Sequence, residues 1–102
     1  MFDKNNRYIT KRIQQEIPLE LQLFMWDCID TLKEQANNMD YLQVFEITNE
    51  RVDEVFFQRI EHRQEVPEYS MTHRVFATEM ANYKVFIIDD ETHSTMLLAE
   101  EY

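Results

Sequence analysis

Apolar and polar residues recur with a helical period in the first half of the chain, most clearly after Pro18. Proline is favoured at the first position of a helix, where its missing N–H costs nothing. The apolar positions that follow have the spacing of one face of an amphipathic helix. They are Leu21, Phe24, Met25, Cys28, Ile29, Leu32 and Ala36. The pattern therefore predicts one principal helix over residues 18–36.

Two segments allow both a strand and a helix. Residues 8–13 favour a strand because tyrosine and isoleucine are good strand formers, yet isoleucines spaced four apart also fit a helix (Ile9, Ile13, Ile17). Residues 41–48 predict a strand with apolar side chains on both faces. Residues 49–57 fit either helical turns or a strand, and both alternatives stay open.

Strict alternation predicts an antiparallel hairpin next. Residues 59–66 alternate charged side chains with less polar ones, as a half-buried strand does. Proline suits the first central position of a tight turn, so a two-residue turn at Pro67-Glu68 would return the chain as Ser70–Thr78. The resulting register pairs Ile60 with Val75, Glu61 with Arg74, His62 with His73, and Gln64 with Met71.

A second hairpin is predicted near the end of the sequence. Tyr83–Ile88 leads into a four-residue loop at 90–93, and Ser94–Glu100 returns. The register makes both faces of this hairpin largely apolar. It pairs Val85 with Leu98, Phe86 with Leu97, Ile87 with Met96, and Ile88 with Thr95.

Together these elements predict an α+β fold: a mainly antiparallel sheet of about five strands with one principal helix. The length suits one domain spanning residues 1–102. One helix covers one face of such a sheet. The second face must then meet a short extra helix, a second subunit or a partner. This shortage of covering layers is the main functional indication in the pattern.

The charge points to the kind of partner. The chain has 20 acidic and 10 basic residues, a net charge of −10. Direct binding to DNA or RNA is disfavoured because it needs a basic footprint. The alternative is that four basic residues near the N-terminus bind nucleic acid directly (Lys4, Arg7, Lys11, Arg12). An acidic surface suits a basic partner, including the groove of a nucleic-acid-binding protein. Acids that only maintain solubility are the other interpretation.

Missing residue types exclude several classes of protein. Without glycine there is no P-loop, dinucleotide fingerprint or nucleophile elbow. One cysteine excludes a disulfide framework and a Cys-based zinc finger, and Cys28 itself is expected in the core. The N-terminus lacks the apolar region of a signal peptide, and no apolar run approaches the ~20 residues of a membrane span. We therefore expect a cytoplasmic protein with no membrane partner.

Few residues offer chemistry. In the predicted register His62 and His73 would supply half of a metal site, but no spacing indicates a third ligand from His93, a carboxylate or Cys28. Hydrogen-bonded sheet histidines are the alternative. No catalytic residue and no cofactor is predicted.

Partner-binding candidates come from the last hairpin. Asp89, Asp90 and Glu91 form an acidic loop, which lacks the spacing and the glycine of an EF-hand and is typical of a solvated hairpin tip. Phe86 and Leu97 belong to its apolar faces. Aromatic residues left on an uncovered face would anchor a subunit or partner. Those to consider are Trp26, Phe56, Phe57, Tyr69, Phe76 and Tyr83.

Several separate segments match a known pattern in order. They are Asn6–Thr10, Gln14–Gln22, Gln64–Tyr69, Ile87–Asp90 and Ser94–Tyr102. Together they resemble a family of small cytosolic proteins from staphylococci and related Gram-positive bacteria, a domain of unknown function (number nine-sixty). The resemblance implies a bacterial or phage origin and one compact domain, and it supplies no activity or site. That pattern usually has a glycine near Arg12 and another near Glu91, and this chain has neither.

These observations favour a small acidic interaction module or regulator, which either occupies a basic groove of a nucleic-acid-handling protein or self-associates as a homo-oligomer. The alternative is a metal-dependent protein or small enzyme that uses His62, His73 and nearby carboxylates. The sequence favours a non-catalytic role, since no catalytic motif supports the alternative.

Overall fold

The structure is a computed structural model of the chain, and it describes residues 1–36, 38–77 and 81–102. One mixed sheet contains six strands in the order β1-β6-β5-β2-β3-β4. Strand β1 pairs with β6 in parallel, and the other four pairings are antiparallel. The elements are β1 Arg7–Ile9, α1 Lys11–Glu16, α2 Leu19–Gln35, β2 Leu42–Val52, β3 Val55–Gln64, β4 Tyr69–Phe76, β5 Tyr83–Asp89, β6 Ser94–Leu98 and a 3-10 turn Ala99–Glu101.

The α+β class and the principal helix are confirmed, whereas the number of strands and the antiparallel character are only roughly right. Residues 8–13 explain most of the difference, because both alternatives apply in part. The strand ends at Ile9, and Thr10 then caps α1 by accepting a hydrogen bond from the Ile13 N–H at 3.2 Å. Strand β1 is thus a shorter form of the strand predicted here, and its parallel pairing with β6 makes the sheet mixed.

Residues 49–57 form strands and not helical turns. They belong to the β2–β3 hairpin, in which Val52 pairs with Val55 across the two-residue turn Asp53-Glu54. Asp53 has a φ of 56°, a left-handed conformation that aspartate tolerates better than most residues.

The predicted register of β3 with β4 is wrong by two residues. Ile60 pairs with His73 and His62 with Met71, so His62 does not face His73. The turn is also longer than predicted and includes a cis Val66–Pro67 peptide bond. Two side chains hold this longer turn: Asp40 accepts from the Val66 N–H at 3.1 Å, and the Gln64 amide donates to the Pro67 carbonyl at 2.7 Å. Strand β4 is described to Phe76; Thr78, the predicted end, lies outside the described residues.

The register of β5 with β6 is confirmed at all four predicted pairs, and the loop spans residues 90–93. Asp90 organises the loop by accepting hydrogen bonds from the backbone N–H groups of Thr92 and His93 at 3.0 and 2.9 Å. Glu91 has a φ of 80°, the region that glycine adopts most easily.

Alternation of side chains gives the sheet two unequal faces. The helix face contributes to one buried core with α1 and α2. That core contains Phe2, Ile13, Ile17, Leu21, Met25, Cys28, Ile29, Phe45, Ile47, Ile60, Val85, Ile87, Met96 and Leu98. The opposite face, here called the open face, has no helix over it in the part of the chain that the structure describes. Among the same residues, no helix has the length and apolar composition that a membrane crossing requires.

Candidate interaction surface

His62 lies in the core and takes part in a polar chain. It is 1% exposed, and its Nε2–H donates to the Gln43 Oε1 at 2.7 Å. The Gln43 amide in turn donates to the Gln64 Oε1 at 2.7 Å, and Gln64 holds the β3–β4 turn. The imidazole stacks on Phe45 with ring centroids 4.3 Å apart. Burial lowers the pKa of His62 to about 4, so the ring is a neutral structural group at neutral pH.

His73 lies on the same face as His62 but makes different contacts. Its ring meets Phe24 edge-on at 5.2 Å. No group of three or more His, Cys, Asp or Glu side chains among the described residues is placed to hold a metal ion. Cys28 is buried as predicted, and burial together with Asp27 raises its pKa to about 12. A thiol held in its protonated form is a poor nucleophile.

The acidic loop divides into a buried and an exposed part. Asp89 is buried, and its carboxylate accepts from the backbone N–H of Phe2 at 3.1 Å and of Glu91 at 3.2 Å. It therefore fastens the N-terminal segment to the hairpin. Asp90 and Glu91 are exposed at the tip, so they are the acids of this loop that a partner would meet.

Phe86 and Leu97 lie on the open face, as a directly opposed pair. The neighbouring strand continues this row with Val44, so the apolar side chains form a patch, here called the apolar block. The block comprises Leu42, Val44, Phe86, Ile88 and Leu97. Two exposed tyrosines lie at its margin: Tyr8, on the next strand, and Tyr102, whose ring meets Phe86 edge-on at 5.7 Å.

A band of ion pairs crosses the open face beside the apolar block. Glu46 and Glu61 are directly opposed like charges, and Arg63 offsets their repulsion by lying 2.9 Å from Glu61 and 3.4 Å from Glu46. The hydrogen bond from Arg63 lowers the pKa of Glu46. Arg74 and Glu50 extend the band at 3.0 Å. Its remaining members are Arg59 and Lys84.

Apolar side chains reappear beyond this band, at the far end of the open face. Phe57 and Phe76 stack with centroids 5.3 Å apart, and Phe76 is 74% exposed. Val52 and Val55 continue this end onto the hairpin tip, and both are exposed. The open face therefore presents two apolar ends separated by charge.

A groove runs between α2 and strand β4, next to this far end. It has a volume of about 430 Å³ and is lined by Pro18, Glu20, Leu21, Phe24, Gln58, Val75 and Phe76. A smaller pocket of about 90 Å³ continues it on the other side of Phe24, along Asp27, Cys28, Thr31, Tyr69, Met71 and His73. Glu20 borders the groove and Asp27 the smaller pocket, and the seven-residue spacing that they share with Glu34 places all three on one side of α2. This spacing is the sequence signal for the acidic border, and the spacing of apolar residues alone does not reveal it.

The fold and these surfaces define a class: a small α+β protein with a mixed sheet open on one face. The chain belongs to the family described as "Staphylococcal protein of unknown function (DUF960)", whose sequence profile matches residues 6–101. This confirms the resemblance seen in the sequence.

Among solved structures, the chain is similar to the crystal structure of the protein of unknown function from Enterococcus faecalis. The two share 21% sequence identity with a TM-score of 0.77, over 99% of this chain and 94% of that chain. At this identity the likeness shows the fold alone. The comparison with curated proteins gave no match.

Proposed function

We propose that the protein is a non-catalytic interaction module of the cytoplasm that regulates a protein partner and associates with it, or with a second copy, through the open face. One observation carries this proposal: apolar side chains occupy both ends of a sheet face that has no covering layer among the described residues. Tyr102 and Phe76 are 73% and 74% exposed there. Large exposed aromatic side chains are characteristic anchors of protein interfaces.

The distribution of charge supports a basic partner. In the described structure seven of the ten lysines and arginines lie in ion pairs, with six carboxylates. Thirteen of the 19 acids that the structure describes therefore have no ion pair with a lysine or arginine. The surface field is acidic, which favours encounter with a positively charged surface and raises its rate. A basic groove of a nucleic-acid-handling protein has this charge.

Light scattering and affinity capture test the proposal together. The sheet-face variant replaces Tyr8 and Tyr102 with alanine, because both side chains are exposed and their loss leaves the core intact. The matched control replaces Thr48 and Ser70 with alanine; both are exposed positions on the same face. We expect the wild type to self-associate at high concentration, or to retain one basic protein in equal amount from a nuclease-treated Gram-positive lysate.

The sheet-face variant should lose that association and the control should keep it. A wild-type protein that stays monomeric, binds no hydrophobic dye and retains no stoichiometric partner would contradict the proposal. Association that survives the sheet-face variant unchanged would contradict the role of the open face.

A further inference from the structure

Strand β4 forms one end of the sheet and leaves half of its backbone groups without partners. The Ala77 N–H donates to the Phe56 carbonyl at 3.2 Å. Because alternate residues of an antiparallel strand point their N–H and C=O groups to the same side, the odd-numbered residues of β4 pair with β3. The N–H and C=O groups of the others point away from the sheet, and no described residue pairs with them. These residues are Ser70, Thr72, Arg74 and Phe76.

The β4 edge also lacks the usual protection against an added strand. Natural edges are shortened, or carry lysine, proline or bulges. Strand β1, at the other end of the sheet, has only three residues. Strand β4 has eight residues in regular pairing, with no proline, no lysine and no acid. Its Arg74 is engaged with Glu50 on the open face.

The groove beside α2 follows this edge. Its apolar floor and walls come from Leu21 and Phe24 of α2 and from Val75 and Phe76 of β4. Phe24 separates the main groove from the smaller pocket at Met71. Side chains of an added strand alternate between faces, so every second one would enter the space between α2 and β4.

Carboxylates border both pockets. Glu20 lines the main groove and Asp27 the smaller pocket, and neither takes part in an ion pair within the described residues. Seven-residue spacing places them on the same side of α2. Unpaired carboxylates next to apolar pockets favour a segment that carries lysine or arginine among apolar residues. The net charge of −10 opposes a second copy at this edge.

We propose that strand β4 and the adjoining groove bind an extended segment of a partner protein as a seventh strand. Apolar side chains at alternate positions of that segment enter the groove, and its lysines or arginines lie beside Glu20 and Asp27. The backbone groups of Thr72 and its even-numbered neighbours supply the hydrogen bonds. This inference rests on the proposed interaction function, and it names a second surface and the chemistry of the segment that occupies it.

Selection from a phage-displayed library of random decapeptides tests the proposal on the full chain. The negative selection uses Thr72→Pro, which removes an outward N–H that has no partner in the sheet and is therefore tolerated by an edge strand. Thr72→Val is the matched control, since it keeps the N–H and the β-branched shape. We expect enriched peptides that alternate apolar residues with lysine or arginine, and that bind wild type and Thr72→Val but not Thr72→Pro.

Amide hydrogen exchange with one enriched synthetic peptide identifies the mode of binding. In the free protein the amides of Ser70, Thr72, Arg74 and Phe76 should exchange fast, and the peptide should slow them at least tenfold. Neutralising Glu20 and Asp27 as Gln and Asn should weaken binding roughly tenfold at low salt. As a control, replacing Glu54 and Glu65 with Gln should leave peptide binding unaltered.

Three results would overturn the proposal. They are no enrichment over Thr72→Pro, binding that leaves the four amides fast, and slow exchange of these amides in the free protein at high concentration, which would show that a second copy pairs at β4. The Tyr8 and Tyr102 variant separates the two proposals. If peptide binding fails while open-face association persists, the interaction function stands and the edge site falls.

Discussion

His62 shows how a polar side chain is accommodated among apolar ones at the scale of a single residue. Its Nε2–H has a partner in Gln43, whereas its Nδ1 has none among the described residues. A buried neutral imidazole with one unpaired acceptor costs little compared with a buried imidazolium, which would lack a compensating carboxylate. Protonation of this ring is therefore opposed by the fold.

This opposition predicts a loss of stability in mild acid. The pKa of His62 is about 4 in the folded protein, below the value of 6.5 for a free histidine. Between these values the unfolded chain binds the proton and the folded one does not. The free energy of unfolding therefore has its full value above pH 6.5 and decreases as the pH falls towards 4. The loss is on the order of 3 kcal/mol. Urea unfolding between pH 4 and 7 measures it.

His62→Gln should be less stable at pH 7 but lose this dependence between pH 4 and 6.5. His93→Gln changes an imidazole in the hairpin loop and is the matched control for the loss of a histidine. Parallel profiles for wild type and His62→Gln would show that other groups cause the acid sensitivity.

At the scale of elements, the β5–β6 hairpin contains one residue in an unfavourable conformation. Glu91 has a φ of 80°, and a side chain with a Cβ pays about 1 kcal/mol in this region. The Glu91 N–H donates to Asp89, a hydrogen bond that glycine would keep.

We therefore expect Glu91→Gly to raise the free energy of unfolding by up to about 1 kcal/mol, because relief of the positive φ outweighs the entropy that glycine adds to the unfolded chain. The melting temperature should then rise by up to about 4–8 °C. Glu54→Gly is the matched control, because Glu54 occupies a hairpin turn without a positive φ. That variant should be neutral or less stable, since glycine adds entropy to the unfolded chain. Equal effects of the two changes in thermal unfolding would refute the explanation.

The elements that the sequence predicts well are those whose determinants are local. Helix α2 follows from the spacing of its own apolar residues, and the β5–β6 register follows from a short loop between matched strands. The β3–β4 register fails because Asp40, 26 residues before Val66, helps to set the length of the turn. The strand at β1 is favoured by its own residues, but its parallel pairing is not predicted, since its partner β6 lies 87 residues further along the chain, at the pair Arg7 and Ser94.

At the scale of the whole molecule, excess negative charge opposes compactness. The ion pairs are mostly exposed, and exposed pairs contribute about 0–1 kcal/mol each. The unpaired carboxylates repel one another over distances comparable with the screening length, about 10 Å at 0.1 M salt. Repulsion should outweigh the ion pairs.

Stability should consequently rise with salt. We expect the melting temperature to increase by a few degrees between low salt and about 0.3 M NaCl, as screening weakens the repulsion. Neutralising Glu20, Asp27 and Glu34 on α2, as Gln, Asn and Gln, should raise stability at low salt and reduce the response. A melting temperature that falls as salt is added would show that the ion-pair band dominates.

The arrangement of the whole molecule also decides which parts of the candidate site can be predicted from the sequence. Counting covering layers predicts that the principal helix covers only one face of the sheet and leaves the other for a short extra helix, a second subunit or a partner. The groove depends on β4 being the end strand and on α2 lying next to it, and this order is not encoded in any local pattern. Phe86 and Leu97 were accessible to pattern analysis, whereas the role of Glu20 and Asp27 emerges only when the strands are ordered.

The parallel pairing of β1 with β6 gives the molecule a direction of mechanical resistance. Hydrogen bonds flank the pair at both ends, from the Ser94 N–H to Asn6 and from the Thr10 N–H to Met96, at 2.9 and 3.1 Å. Tension applied to the backbone ahead of β1 and behind β6 would pull these strands in opposite directions along their length. All the bonds between them would then be loaded at once, in shear, and not opened one after another. Stretched in this direction, the fold resists the force through the pairing of its shortest strand, β1, with β6.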